Sequence, residues 1–325
     1  MRATPLLVLP LSASLALLPT PIFPEADSVL SSIEAVHAVA PSLWDVVPFD
    51  ERLDGAAGES QSSSVTAGSD VSVTSDHESV TIGLDYGAAP TEIVVATPIA
   101  AASDAEFDLN SGASVSQSDE LAIDQVTEAT ESSVRMTSVL DNSSALDRLQ
   151  YTFEGAVLFE AEDGSVEVGL AGDEVGALII GQVEQPWAID ANGTPLDTHY
   201  SVDGDNLTQH VELQADTAFP VVADPHFVWT NNTNNFEIKW TRSETVALAN
   251  GGYGPAIDFA ASCGAFKFLP PAVRGALFAT CLDAYARFVT AAKIQKASGI
   301  GCIKINGDTS PVWVLGPLPY TCVKS

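Results

Sequence analysis

The chain has 325 residues and carries 43 acidic side chains against 13 basic ones, a formal net charge of −30 at pH 7. No stretch interleaves basic and aromatic residues, so a nucleic-acid-binding protein is not expected. The length allows two or three domains, and a hydrophobic content of 46% is enough for a packed core.

Charge is distributed unevenly along the chain. Residues 226–325 contain nine basic and five acidic side chains, a net charge of +4, whereas residues 1–225 carry −34. The simplest explanation is that acidity keeps a secreted chain in solution. The alternative is that the acidic part masks the basic part.

The first 40 residues are predicted to be a signal-peptide region. Arg2 precedes the apolar run "LLVLPLSASLALL" (6–18), which is too short to span a bilayer comfortably. Cleavage after Ala16 and cleavage after Ala40 both stay open, although Pro41 disfavours the second. No later stretch has about 20 apolar residues and no anchoring tail is recognised, so we expect a secreted, extracellular protein without a transmembrane anchor.

Residues 41–145 are predicted to be an acidic, Ser- and Thr-rich spacer that is largely disordered. "SVTIGLDYG" (79–87) and "TEIVVATPIA" (91–100) predict short strands within it. Residues 103–133 are expected to be mostly solvated, because polar residues dominate there.

Residues 146–225 are predicted to form a β-rich middle module. Alternating apolar residues surround Asp163-Gly164, an Asn-Gly turn follows at 192–193, and two strands flank 203–206. Pro225 cannot donate a hydrogen bond to a sheet, so it is expected to end the module.

Residues 226–325 are predicted to be a small α+β domain, mainly helical. "HFVWT" (226–230) and "FEIKWT" (236–241) predict two strands on either side of an Asn-rich turn. The tail after the last helix predicts two or three short strands around a turn at 306–308.

Three helices are predicted between these strands. Thr241 and Glu244 have capping-box spacing and start a short helix. Pro255 starts a second helix, and Pro271 starts a long third one that ends at Gly299. Small and apolar residues recur at three- and four-residue spacing in the long helix, which favours a core face. A membrane-active cationic helix, exposed after a rearrangement, is the alternative.

All four cysteines lie in the last third of the chain. An even number in an exported protein predicts two disulfide bonds, and the absence of a C-x-x-C motif argues against zinc. Antiparallel helices would bring the first two close together, which favours pairs 263–281 and 302–322 over the other two arrangements. The predicted disulfide residues are Cys263, Cys281, Cys302 and Cys322.

The sequence contains no recognisable catalytic constellation. Residues 230–325 have no His, so a Ser-His-Asp or Cys-His site built wholly there is excluded. Asp258 and Asp283 are best explained as helix-surface residues, and Asp308 as a turn residue, rather than as paired catalytic carboxylates. We therefore predict no catalytic, cofactor-binding or metal-ligating residues, and a protein that is not an enzyme is favoured.

Two patterns suggest metal binding weakly. "DANG" (190–193) and "DGDN" (203–206) lack the Gly and Glu positions of an EF-hand loop, so turns explain them better. A turn at 203–206 would place His199 opposite His210, and such a pair binds metal only with a further ligand.

One run of the middle module resembles a module of uncharacterised exported proteins of Gram-positive, mainly actinobacterial, bacteria. In that module a PWA-x-DANG stretch precedes an L-x-Q-x-V strand and a PVVADP ending, and variable C-terminal domains follow. The resemblance implies a modular exported protein with its domain edge at Pro225, and it implies no activity. The matching residues are Pro186, Trp187, Ala188, Asp190, Ala191, Asn192, Gly193, Thr198, Tyr200, Leu207, Gln209, Val211 and Pro220 to Pro225.

Two functions are compatible with this organisation. In the first, the C-terminal domain is a secreted effector, a bacteriocin-like or binding domain, and the acidic part is its leader. In the second, the chain is a non-catalytic extracellular or envelope-associated binding protein whose β-module is the working part. The partner would then be a component of the cell envelope or a protein.

Overall fold

The computed structural model describes most of the chain from residue 28 onwards. The predicted apolar run at 6–18 and the cleavage site after Ala16 lie outside the described residues. The described ranges are 28–40, 46–52, 62–67, 71–76, 78–85, 90–102, 106–110, 113–172, 175–229, 235–267, 269–309 and 312–322.

Two antiparallel sheets dominate the described residues, and the chain is β-rich as predicted. The large sheet has 14 strands: β1 (Val46–Val47), β7 (Glu106–Asn110), β8 (Ala113–Ser118), β9 (Ile123–Thr130), β10 (Ser133–Leu140), β12 (Ala156–Glu160), β13 (Val166–Ala171), β14 (Ala177–Val183), β15 (Ala188–Ile189), β18 (Val221–Ala223), β19 (His226–Trp229), β20 (Asn235–Lys239), β21 (Gly301–Thr309) and β22 (Val312–Thr321). The small sheet has eight: β2 (Asp50–Arg52), β3 (Ser62–Ala67), β4 (Val71–Ser75), β5 (Ser79–Asp85), β6 (Pro90–Ala96), β11 (Arg148–Glu154), β16 (Thr198–Asp203) and β17 (Asn206–Val211).

Helices flank these sheets, three of them in the C-terminal region. They are α1 (Ser28–Val39), α2 (Arg242–Ala249), α3 (Ala256–Cys263) and α4 (Pro271–Ser298), with a 3₁₀ turn at Pro98–Ala101. The predicted capping box is confirmed, since Thr241 and Glu244 satisfy each other's backbone N–H groups. The long helix begins at Pro271 and ends at Gly299, whose φ of 83° suits glycine. No described helix combines the length and apolarity that crossing a bilayer requires.

Both sheets and the C-terminal helices share one hydrophobic core. Phe153 of the small sheet meets Phe227 of the large sheet edge to face, with ring centroids 6.3 Å apart. At the other end, Trp240 packs against Phe259 of α3 and Phe288 of α4 at 6.5 and 5.9 Å. Apolar burial is therefore continuous from the middle of the chain to its C-terminal helices.

The described part of the predicted spacer is built into the sheets. The two short strands expected at 79–87 and 91–100 are confirmed as β5 and β6. The expectation that 103–133 is mostly solvated is wrong for β8 and β9, which are almost wholly buried. Their polar side chains find partners inside the protein, as in the 2.7 Å contact between the Ser75 and Ser114 hydroxyls.

The sheet that contains strands of the β-module continues past Pro225. Strands β18 and β19 both pair with β10, one after the other, so the chain keeps its direction along that strand. A proline lacks a donor but keeps its acceptor, and the Met136 N–H donates to the Pro225 carbonyl at 2.9 Å. The proline therefore lies within continuous pairing, and the same sheet extends into the C-terminal region.

Of the two turns predicted in the C-terminal region, the one at 306–308 is wrong, and the Asn-rich one lies at 230–234, outside the described residues. Strands β19 and β20 do not form a hairpin, because both pair antiparallel with the same strand, β14. Strand β21 runs straight through Asn306-Gly307-Asp308. A Cβ atom at Gly307 would lie 2.1 Å from the Phe236 ring, so this glycine permits close packing rather than a turn.

Candidate functional site

The four cysteines lie at disulfide distance in the favoured pairs. Cys263 at the end of α3 meets Cys281 in α4, with Cα atoms 6.4 Å apart. Cys302 of β21 meets Cys322 just after β22, with Cα atoms 5.6 Å apart. All four cysteines lie in described residues and none is free. The first pair joins two helices and the second joins the two ends of a β-hairpin.

The "DANG" stretch is a turn held by its own aspartate. The Asp190 carboxylate accepts from the backbone N–H groups of Asn192, Thr194 and Ala218 at 2.9, 2.8 and 3.3 Å. Gly193 has a φ of 76°, which a glycine adopts without strain. These oxygens serve the backbone, so the stretch is a structural turn, as the sequence favoured over calcium binding.

The aspartate of "PVVADP" lies at the centre of a buried hydrogen-bond network. Asp224 accepts from the Trp187 N–H at 2.9 Å and from Gln209 Nε2 at 3.1 Å, both at Oδ1. The Tyr200 hydroxyl donates to Oδ2 at 3.1 Å. Burial raises the pKa of Asp224 to about 7, although these hydrogen bonds favour the charged form.

This network joins residues that are distant in sequence and that match the module of exported proteins described above. Trp187, Tyr200, Gln209 and Asp224 come from four segments, and all four are matching positions. Gln209 also donates to the Trp187 carbonyl at 3.0 Å. The carboxylate is fully buried and its hydrogen bonds join segments that are distant in sequence, so its chemistry stabilises the fold.

The predicted histidine pair is present on the edge hairpin of the small sheet. His199 lies opposite His210 in the register, and their rings stack with centroids 4.7 Å apart and planes 7° apart. Burial and the neighbouring His199 lower the pKa of His210. Within the described ranges, no group of three or more His, Cys, Asp and Glu side chains could hold a metal ion.

The three isolated aspartates are not brought together. Asp258 lies exposed in the first turn of α3, and Asp283 pairs with Arg287 across 3.8 Å on the surface of α4. Asp308 lies in β21, opposite Trp313 of β22, instead of in a turn.

A groove on the outer face of the large sheet is the candidate functional site. This face points away from the helices, because Phe236, Ile238 and Trp240 occupy the other side of β20. The groove has a volume of about 480 Å³. We call it the binding groove and define it by six lining residues: Glu167, Gln182, Val228, Glu237, Asn306 and Trp313.

Strand pairing explains how distant residues reach the binding groove. Glu167 of β13 lies opposite Gln182 of β14, which lies opposite Val228 of β19. Glu237 of β20 lies opposite Asn306 of β21. Directly opposed residues share a face, and Trp313 of β22 lies opposite Asp308 of β21, so six strands supply side chains to one surface.

Two lysines neutralise the carboxylates of the binding groove. Lys239 is almost completely buried and contacts both Glu167 and Glu237, the latter at 3.2 Å. Lys304 approaches the other Glu237 oxygen at 2.8 Å. The Lys239 ammonium also lies 4.8 Å from the centre of the Tyr320 ring. Two negative and two positive charges therefore meet in one cluster.

The binding groove also offers groups that are free to meet a ligand. The Asn306 Oδ1 atom is buried and has no hydrogen-bond partner. Trp313 is 45% exposed, although it is one of the largest apolar side chains in the protein. An unpaired acceptor beside an exposed aromatic ring is typical of a ligand-binding site and not of a well-packed hydrophobic core.

Sequence patterns did not identify the binding groove. Its residues lie on strands that are distant in sequence, and its signal depends on their register. The alternation of polar and apolar residues in "FEIKW" and "GCIKIN" marks an outward face, but it does not say which faces adjoin.

Comparison with protein-family models, with curated proteins and with solved structures gave no match.

Proposed function

We propose that the protein is an exported, non-catalytic binding protein that holds its ligand in the binding groove. One observation carries this proposal: residues of the middle region and of the C-terminal region jointly line the groove. Glu167 and Gln182 come from the first, and Glu237, Asn306 and Trp313 from the second. Binding would then need the whole chain.

The state of the carboxylates supports binding over catalysis. A general acid or base must be free to exchange a proton with a substrate. Both Glu167 and Glu237 are instead ion-paired to Lys239, and Glu237 also to Lys304. Such pairing holds both carboxylates in fixed positions from which they can orient a ligand.

The cysteine pairs support an extracellular location. Disulfide bonds persist in oxidising compartments and are rare in the cytosol. Two pairs at bonding distance, together with the predicted signal region, are compatible with a secreted protein. A component of the Gram-positive cell envelope is the partner class we propose.

The leader–effector alternative has less support. It needs the chain to be cut near Pro225 and the C-terminal part to act alone. Strand β19 pairs with β10 and β14, and β20 pairs with β14, so the cut would separate a released domain from strands that complete its sheet. The charge split and the confinement of all four cysteines to the last third of the chain favour this alternative.

The proposal is tested by binding of the labelled full chain to isolated Gram-positive cell walls. We expect saturable binding that Asn306→Leu weakens, because the substitution removes the unpaired acceptor and puts an apolar group in its place. Ile294→Ala is the control, since Ile294 is 61% exposed on α4 and the groove lies on the sheet face that points away from the helices.

Equal binding by the wild type, Asn306→Leu and Ile294→Ala would overturn the assignment of the groove. Absence of saturable binding to the walls would overturn the envelope partner. Thermal unfolding of each variant shows whether a loss of binding comes from a loss of structure.

A further inference from the structure

We infer that the ligand of the binding groove is a neutral oligosaccharide. This inference rests on the proposed function and adds the chemical class of the ligand. It is carried by three properties of the groove: balanced charge, a mixed set of hydrogen-bonding groups, and one exposed aromatic ring.

The charge balance selects an uncharged ligand. Glu167 and Glu237 face Lys239 and Lys304 within one contact network. A cationic ligand would compete with two ammoniums that already occupy the carboxylates. An anionic ligand would meet those carboxylates at close range. A neutral ligand leaves the ion pairs intact and loses no pairing energy.

The hydrogen-bonding groups match hydroxyls. Asn306 Oδ1 is a buried acceptor that needs a donor, and the exposed Gln182 amide offers both a donor and an acceptor. The partly exposed Glu167 and Glu237 are further acceptors. A sugar hydroxyl donates and accepts at the same atom, so a ring bearing several hydroxyls can satisfy such a set.

Trp313 supplies the apolar surface that sugar rings use. Its indole is 45% exposed on β22, the last strand of the large sheet, on the same face as Asn306. The face of an aromatic ring is negative and attracts the weakly positive C–H groups of a pyranose. Val228 and Ile179 extend this apolar surface within the groove.

The size of the groove fits more than one sugar ring. Its volume of about 480 Å³ falls in the range of about 300–1,000 Å³ that small-molecule sites occupy. It lies on an open sheet face beside the sheet edge at β22, where a chain of sugars can extend beyond the groove.

The test uses an array of soluble oligosaccharides that contains neutral, amine-bearing, uronic-acid and sulphated members. The full chain is expected to bind neutral members. Each neutral oligosaccharide that binds is then titrated by calorimetry, together with a counterpart of similar linkage that carries amines or carboxylates. We expect the charged counterparts to bind at least tenfold more weakly.

Substitutions of Trp313 localise the binding. Trp313→Ala is expected to weaken binding about tenfold, and Trp313→Phe to retain most of the affinity because a ring face remains. Ile294→Ala serves as the control and leaves the affinity unchanged. The half-exposed position of Trp313 allows both substitutions without a core defect.

Binding of charged oligosaccharides only, or of none, overturns the neutral-saccharide inference. The proposed function survives that result if cell walls still bind and Asn306→Leu weakens the binding. Neutral oligosaccharides that bind Trp313→Ala as well as the wild type would place saccharide binding elsewhere on the protein and also overturn the inference.

Discussion

Asp224 shows how a single residue can hold a module together while carrying an unfavourable charge. Its carboxylate accepts three hydrogen bonds from segments that are far apart in sequence. Burial nevertheless outweighs these bonds and raises its pKa to about 7. The three hydrogen bonds favour the charged form and burial favours the neutral form, and burial has the larger effect on the pKa.

We predict that Asp224 makes the protein less stable as the pH rises. Its pKa is 3.8 when unfolded and about 7 when folded, so the folded state binds the proton more tightly. Protonation of Asp224 therefore adds to the free energy of unfolding. The whole contribution is present below about pH 4, and it is lost as the pH rises to about 7. Asp224→Asn should remove this dependence and be more stable than the wild type at pH 8 by about 2–4 kcal/mol.

Urea denaturation between pH 4 and pH 8 measures this effect. The control is Asp283→Asn, because the Asp283 side chain is 88% exposed and should leave the pH profile unchanged. An Asp224→Asn profile parallel to that of the wild type would contradict the assignment. Asp224→Leu should instead destabilise at every pH, since it leaves Trp187 and Gln209 without their acceptor.

Helix α1 is the element whose position bears on export. It covers the outer side of strands β8 to β10, with Ile33 and Val36 buried against them. Ser32 donates to Asp124, and His37 meets Glu128 at 2.8 Å. The second candidate cleavage site, after Ala40, would remove the whole helix and expose the apolar surface beneath it.

We therefore predict that the mature protein retains residues 28–39 and that cleavage occurs upstream of them. A chain beginning at Pro41 should lose at least about 3 kcal/mol of unfolding free energy, because two buried aliphatic side chains are removed. Intact-mass analysis of the secreted protein gives the N-terminus, and urea denaturation compares chains beginning at Ser28 and at Pro41. A mature N-terminus at Pro41 with unchanged stability would exclude this role of α1.

At the scale of the whole molecule, the sequence predicted local structure well and long-range structure poorly. The capping box at Thr241, the Asp163-Gly164 hairpin and the end of α4 at Gly299 depend on neighbouring residues, and all three are present. The disulfide pairs were predicted from the antiparallel arrangement expected for the two helices that carry Cys263 and Cys281. Polarity misled the prediction for β9, because Asp124 and Glu128 are buried with partners that no local pattern reveals.

The candidate site was beyond prediction for a related reason. The side chains of the binding groove lie on one surface because β19 and β20 both pair with β14, one after the other. The sequence suggested instead two strands on either side of a turn. A one-residue change of register would move Glu237 to the other side of the sheet. The exposure of Trp313 is visible only in the structure, and an isolated exposed apolar residue is common on protein surfaces.

The shared sheet leads to a prediction about the whole chain: residues 226–325 do not fold alone into their native structure. Without β10 and β14, strand β19 loses its partners on both sides, and β20 loses its partner on one side. Phe227, Trp229 and Ile238 then lose much of the core that buries them. The isolated fragment should bind a hydrophobic dye and unfold without a cooperative transition, although its helices are cross-linked by Cys263 and Cys281.

The test measures thermal unfolding and dye binding of three samples. They are the oxidised fragment, the full chain, and a full chain nicked between residues 225 and 226. The nicked chain should stay associated and unfold cooperatively, because all strand pairs remain available. If the fragment alone unfolds cooperatively with both native disulfide pairs, the sheet across Pro225 is not needed for its fold. The leader–effector alternative would then regain its physical basis, since a released domain could act by itself.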